Sequence, residues 1–218
     1  MCGRITLTLP DLDQVAALLE AAVEPADAAS YRPRWNAAPT DLHWMVEAKD
    51  AGARRLVPAR WGFPGGTINA RAETCAVRSA FREAFQSRRV VVPADGFYEW
   101  TGPDRDRRPI WFRPREGALL YLAGLATRLP DGTPGFVVLT TEAAGPIAEA
   151  HDRMPVLLPR SAVGDWLARP DSGLLVPAPV DFLTATPVSR RVNDVANDDP
   201  ACLAPPEPAP VPPQLSLF

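Results

Sequence analysis

Residues 110–141, IWFRPREGALLYLAGLATRLPDGTPGFVVLTT, decide the fold. Three runs within them, Ile110 to Arg113, Leu119 to Thr127 and Gly135 to Thr141, have the length and apolar content of strands. Asp131-Gly132 separates the last two, and Asp-Gly supplies the positive φ angles that tight hairpins need. Strands joined this closely run antiparallel, so the stretch predicts a meander. Upstream, across a polar turn at Gly102 to Arg108, lies Asp95-Gly96-Phe97-Tyr98-Glu99-Trp100, preceded by Arg89 to Ala94 (RVVVPA), which reads as a buried strand. Alternation sets Glu99 between two large aromatics, and this admits two readings. A carboxylate in apolar surroundings has a raised pKa and can exchange protons near neutrality. A surface strand would instead turn Glu99 to water and its aromatics to the core.

Working outward, Gly3 to Leu9 alternates apolar and polar side chains like a half-buried strand. Pro10 and Asp11 open a packing helix through Leu12, Val15, Leu18, Leu19 and Val23. Tyr31 to Thr40 lacks any period and reads as a loop fixed over the core, while Leu42 to Val46 and Arg54 to Trp61 read as strands. Ile68 to Thr74 mixes amide, guanidinium and carboxylate groups with few apolar ones, which suits a binding surface or a solvated loop. Ser79 to Arg89 is a short amphipathic helix with Phe81 and Phe85 inward and Arg82, Arg88 and Arg89 on exposed positions. With Arg71 and Arg78 these form the densest basic cluster of the first half. Beyond the meander, Thr141 to Ala150 has the composition of a short helix and leads to His151, whose side chain titrates near neutrality. Ser161 to Arg169 reads as a surface helix with Trp166 and Leu167 inward, and Phe182 to Val188 as a strand. The fold class expected is α+β, mainly antiparallel.

The chain of 218 residues, 46% hydrophobic and 22% charged, can bury a full core. A net charge of −3 gives no overall attraction to nucleic acid, so any DNA contact must rest on a local patch. Three widely spaced cysteines and two histidines suggest neither a disulfide framework nor a metal site, and no cofactor is expected. No basic segment followed by an apolar run opens the chain, and no stretch approaches membrane-spanning length, so a cytoplasmic protein is expected.

The first four residues are Met1-Cys2-Gly3-Arg4. Removal of Met1, expected before a small side chain, leaves an α-amine and a thiol on adjacent carbons of Cys2. The α-amine, with a reference pKa of about 7.7–8.0, is substantially uncharged near neutrality, where lysine is almost wholly charged. Toward an aldehyde it forms an imine, onto which the thiol can close to give a thiazolidine. The bland alternative is a frayed terminus.

M-C-G-R, W-N-A-A-P-T (35–40), W-G-F (61–63), I-N-A-R-A-E-T (68–74), V-P-A-D-G-F-Y-E-W (92–100), H-D-R-M-P-V (151–156) and T-P-V-S-R-R-V-N (186–193) occur in this order. Together they resemble the SOS-response-associated peptidase family over nearly all of Cys2 to Cys202. The resemblance implies a barrel-like β core flanked by short helices, in a domain of residues 1–202. It also implies covalent capture of abasic sites in single-stranded DNA, as a DNA–protein crosslink, by a nucleoid-associated monomer. Cys2 would then supply amine and thiol, Asn69 would position Cys2 and the sugar, and Glu99 would move the protons of ring opening and imine formation. His151 would act as acid–base partner on the sugar side, and could assist crosslink reversal or strand cleavage as an abasic-site lyase. Arg4, Arg71, Arg78, Arg153 and Arg190 would meet backbone phosphates, and Asn36, Pro39 and Trp61 would wall the nucleotide channel. Members often carry a longer segment with another tryptophan before N-A-R-A-E; here Gly65-Gly66-Thr67 is short and has no aromatic.

Residues 203–218 form a Pro-rich, polyproline-like spacer expected to be disordered, ending in Gln214-Leu215-Ser216-Leu217-Phe218. Q-L-S-L-F resembles the peptide by which bacterial repair proteins dock on the DNA polymerase sliding clamp, with Gln214, Leu215, Leu217 and Phe218 as the anchors. Two other readings stay open. One is an N-terminal-nucleophile amidohydrolase or peptidase, since glutamine amidotransferases also begin M-C-G. The other is a non-catalytic clamp adaptor that binds single-stranded DNA.

Overall fold

The computed structural model describes residues 2–49, 52–116 and 119–207. The anchors Gln214, Leu215, Leu217 and Phe218 lie outside the described residues. The chain opens with β1 (Ile5–Leu7), α1 (Leu12–Leu19), β2 (Ala22–Val23), α2 (Pro25–Ala28), β3 (Arg34–Ala37), β4 (Leu42–Ala48) and β5 (Arg54–Trp61). It continues through β6 (Asn69–Arg71), α3 (Ala72–Cys75), α4 (Ser79–Ser87), β7 (Arg89–Ala94), β8 (Gly96–Thr101), β9 (Arg108–Pro114), β10 (Leu120–Arg128) and β11 (Pro134–Glu142). β12 (Arg153–Pro155), β13 (Leu157–Leu158), α5 (Val163–Ala168) and β14 (Leu183–Pro187) follow, with short 3-10 turns between them.

The meander forms as its spacing predicts. β10 runs antiparallel to β11 (Gly124↔Val138) and to β7 (Leu122↔Val92), and β7 to β4 (Val46↔Val91). β4 pairs antiparallel with β5, and β5 returns to β11 through Gly135↔Arg60 and Phe136↔Trp61. That last pairing is parallel and closes β4, β5, β11, β10 and β7 into a ring, giving the barrel-like α+β core. β2–β5 and β6–β11 are parallel as well. A second sheet, in the order β14-β9-β8-β1-β3, is antiparallel throughout.

Strand periodicity divides the apolar side chains between two cores. Val91, Leu56, Leu125 and Val137 pack with α1, α4 and α5, through Leu12, Val15, Phe81, Phe85 and Trp166. Val90, Val92, Val57, Trp61, Leu122 and Phe136 point the other way and pack with Ile5, Phe97 and Phe112 of the second sheet. A smaller cluster of Tyr98, Val188, Val192 and Cys202 fastens residues 188–203 onto that sheet.

Four local expectations are corrected. Tyr31 to Thr40 is not loop throughout, because Arg34–Ala37 pairs with the distant β1 (Ile5↔Ala37) and so becomes a strand. The helix from Asp11 stops at Leu19, where Glu20 takes a left-handed φ of 52°, and Ala22–Val23 turns into a strand. β1 is buried on both faces, since Thr6 donates its hydroxyl to Asp95 Oδ1 at 2.5 Å and is inaccessible. Arg89 is not exposed: its guanidinium donates to the carbonyls of Phe85, Gln86, Trp166 and Leu167. One buried arginine thus caps the last turns of both α4 and α5, the helix ends at which a cation is favoured.

Candidate active site

The pairing of β1 beside β8 carries the chain's first residues to Glu99. Ile5 stands opposite Phe97, and Tyr98 N–H donates to the Arg4 carbonyl at 3.0 Å. Asp95 locks this junction by accepting from the Thr8 amide and hydroxyl at 2.5 and 2.6 Å, besides Thr6. From the opposite side β6, fixed to β11 through Asn69↔Val138, presents Asn69, whose Nδ2 donates to the Cys2 carbonyl at 2.7 Å. Asn69 Oδ1 is buried and accepts no hydrogen bond among the described residues.

Cys2 is fully buried. Burial pushes its thiol well above the usual range, and the charge of Glu99 pushes it the same way. Glu99 is only 3% exposed. Burial raises its carboxyl to about 7, against the opposing pull of the positive amino terminus of the chain that still carries Met1. Of the two readings of Glu99, the buried one holds.

A cavity of about 530 Å³ opens beside these groups, lined among others by Gly3, Arg4, Glu99, Trp100 and His151. His151 follows the 3-10 turn Gly145–Glu149, and its amide donates to the Ile147 carbonyl at 2.9 Å. Its Nδ1 lies 2.9 Å from the Arg153 amide and 2.8 Å from Asp152 Oδ1. An amide nitrogen only donates, so the contact with Arg153 calls for a lone pair on Nδ1, whereas the contact with the Asp152 carboxylate calls for a proton there. Burial, with the positive amino terminus, lowers the His151 pKa and favours the neutral form. Glu99, with a carboxyl that titrates near neutrality, and His151 line one cavity, while Cys2, held by Asn69 and lying in the field of Glu99, is buried and does not itself line it. Among the described residues no three His, Cys, Asp or Glu side chains are grouped to hold a metal ion.

The residues expected to meet DNA divide. Arg4 and Arg190 line the cavity. Arg4 donates to Asn36 Oδ1 at 2.6 Å and to the Val192 carbonyl at 2.8 Å, with its guanidinium 5.4 Å from the Trp100 ring centre. Arg71 and Arg78 are exposed, at the end of β6 and just before α4. Arg153 is half-buried and forms a bidentate pair with Glu73 at 2.7 and 2.8 Å, so its charge is neutralised within the protein. Pro39 is half-buried in the turn before β4 and does not line the cavity. Asn36 and Trp61 are corrections, because both are inaccessible and wall no channel. Asn36 donates to the carbonyls of Asp194 and Asn197, while Trp61 stacks on Phe136 and donates to the Ile68 carbonyl at 3.0 Å. In the short segment after Trp61, the Phe63 amide donates to the Thr67 carbonyl at 2.8 Å across a turn in which Gly65 and Gly66 take positive φ.

Motif reading passed over Asp104, Arg105, Arg107 and Asn193, which also line the cavity. Their signal was the charged run 104–108, DRDRR, directly after Y-E-W-T-G-P. A second overlooked signal is that Lys49 is the chain's single lysine. It pairs with Glu47 at 2.9 Å on a different cavity, which shares no lining residue with this one. The amino terminus and Lys49 are therefore the only primary amines.

The family model described as SOS response associated peptidase (SRAP) matches residues 1–195. The chain is 32% identical to the abasic site processing protein YoqW of Bacillus subtilis, over 92% of this chain and 97% of that protein. It is 27% identical to the abasic site processing protein YedK of Escherichia coli, over 94% of this chain and all of the other (100%). Among solved structures, a protein from Bacteroides thetaiotaomicron superposes with a TM-score of 0.81 at 18% identity, covering 94% of this chain and 99% of its own. That last likeness concerns the fold alone.

Proposed function

The chain belongs to the SOS response associated peptidase family, and on that premise we propose that it captures abasic sites in single-stranded DNA through a Met1-processed Cys2. The observation that carries this reading is the setting of Cys2, its carbonyl held by Asn69 and its thiol in the field of the buried Glu99. The names of the relatives support the substrate, and the scarcity of other amines supports the nucleophile. Arginine is charged at all physiological pH and forms no imine, so a chain with one lysine offers an aldehyde little choice.

The ring-opened abasic sugar presents C1′ as an aldehyde. The Cys2 amine adds to C1′, and protonated Glu99 gives its proton to the departing hydroxyl, so that water leaves and an imine forms. The nitrogen keeps its one hydrogen as an iminium; the thiol sulfur bonds to C1′, the C=N π electrons return to nitrogen, and the thiol proton passes to the Glu99 carboxylate. One water is lost overall and Glu99 ends as it began. Because burial keeps the thiol protonated, it reacts after the imine has formed rather than as a free thiolate. Asn69 orients the Cys2 backbone, and His151 exchanges a proton with the sugar hydroxyl from Nε2. The tail is expected from Leu203 onward, but that residue ends a 3-10 turn packed on the second sheet, so the chain beyond it is read as a tether to the sliding clamp that would bring the domain to replication forks.

Incubating the Met1-free protein with a single-stranded oligonucleotide that carries an abasic site tests the chemistry. Wild type should give a heat-stable shifted band. Cys2→Ala and Cys2→Ser keep the amine but cannot close the thiazolidine, so they should give a heat-labile adduct that survives only after borohydride reduction. A heat-stable band from Cys2→Ala would refute the assignment. An amidohydrolase would instead release ammonia from glutamine and form no band.

A further inference from the structure

We propose that Arg105 holds a backbone phosphate of the DNA strand whose lesion enters the cavity, an inference that rests on the single-stranded DNA reading above. The turn between β8 and β9 carries five successive charges, Asp104-Arg105-Asp106-Arg107-Arg108. Four of them are matched within the protein. Arg107 pairs with Asp104 at 3.0 Å, Arg108 with Asp106 at 2.8 Å, and the other oxygen of Asp106 accepts from Arg190. Arg105 has neither hydrogen bond nor ion pair among the described residues; it is exposed and lines the cavity with Glu99 and His151. The other cavity arginines are engaged: Arg4 by Asn36 and the Val192 carbonyl, Arg107 and Arg190 by aspartates.

The turn also holds Arg105 in a fixed frame. Gly102 has a φ of +86° and packs so closely that a Cβ there would lie 2.7 Å from the Asp106 carbonyl oxygen. The Asp106 amide donates to the Pro103 carbonyl at 2.8 Å. Asn193 donates to the Arg107 carbonyl at 3.2 Å and accepts from Trp100 Nε1 at 2.7 Å, which ties the turn to the segment on the cavity's far rim. A guanidinium presented on a braced loop pays little ordering entropy when it grips a phosphate, and its planar fork suits two of the phosphate's oxygens. Such a contact positions the strand without reading its bases.

The test is fluorescence anisotropy on a single-stranded oligonucleotide with a tetrahydrofuran, an abasic analogue that has no aldehyde, titrated over a range of salt concentrations. Loss of one phosphate contact should lower the slope of log K against log salt by about 0.7, which is about fivefold weaker binding near 0.1 M salt. Arg105→Ala should show both effects equally on unrelated base sequences, and Arg105→Lys should keep the slope. Arg169→Ala removes the same charge from a surface position that lines neither cavity and should match wild type. Arg105→Ala with wild-type affinity and slope, or Arg169→Ala with an equal loss, overturns this inference alone. Wild type that fails to bind the oligonucleotide at any salt overturns the proposed function and this inference together.

Discussion

In the proposed reaction Glu99 works by staying protonated where an ordinary carboxylic acid has ionised. In water it would lose its proton near pH 4.5; burial moves that loss to about 7. The sign follows for stability and for rate. Because the folded pKa is raised, the neutral form's contribution to stability is complete below pH 4.5 and is lost as pH rises through 7. Capture as proposed needs the acid form of Glu99, which declines above 7, and the free amine of Cys2, which grows toward about 8. The initial rate of crosslinking at subsaturating DNA should therefore follow a bell with its top between these values. Glu99→Gln should lose the alkaline decline and slow the reaction by about 100-fold. A wild-type rate still climbing well beyond pH 8 would contradict this role for the carboxyl.

Arg89 joins three elements, since it begins β7 and holds the final carbonyls of α4 and α5. Arg89→Met fills similar space but leaves four carbonyls without their donor. Stranding buried polar groups costs about 1–3 kcal/mol apiece before relaxation and water entry, so a net loss of about 3 kcal/mol is expected. In a chain of this size that lowers Tm by about 10 °C, which a thermal melt followed by circular dichroism would read. A Tm within about 2 °C of wild type would mean that the cap is unimportant. From sequence Arg89 looked like surface, because it ends a run of arginines on a helix and two of its partners lie 77 and 78 residues further on. β3 escaped notice for the same reason, as its hydrogen bonds come from β1 rather than from any local period. The meander and the inward faces of α4 and α5 were legible because neighbouring residues alone set their periods.

On the scale of the whole molecule, ring closure builds the site. β5 and β6 both lie along β11, and that places Asn69 against a chain end carried in by β1. These parallel joins link strands far apart in the chain and leave no mark on composition or spacing. Motif order was enough to nominate Cys2, Asn69, Glu99 and His151 together, yet it carried no side-chain direction. Asn36 and Trp61 were nominated on the same grounds and proved to be buried. The chain-wide scarcity of lysine sharpens the account into one decisive measurement. Intact-mass and fragmentation mass spectrometry of the adduct with an abasic oligonucleotide reads both its composition and its location. The expected mass is that of the Met1-free chain plus the oligonucleotide minus one water, with the added mass on Cys2 and none on Lys49. An adduct on Lys49 or any other internal residue, or one whose chain retains Met1, would contradict capture through Cys2.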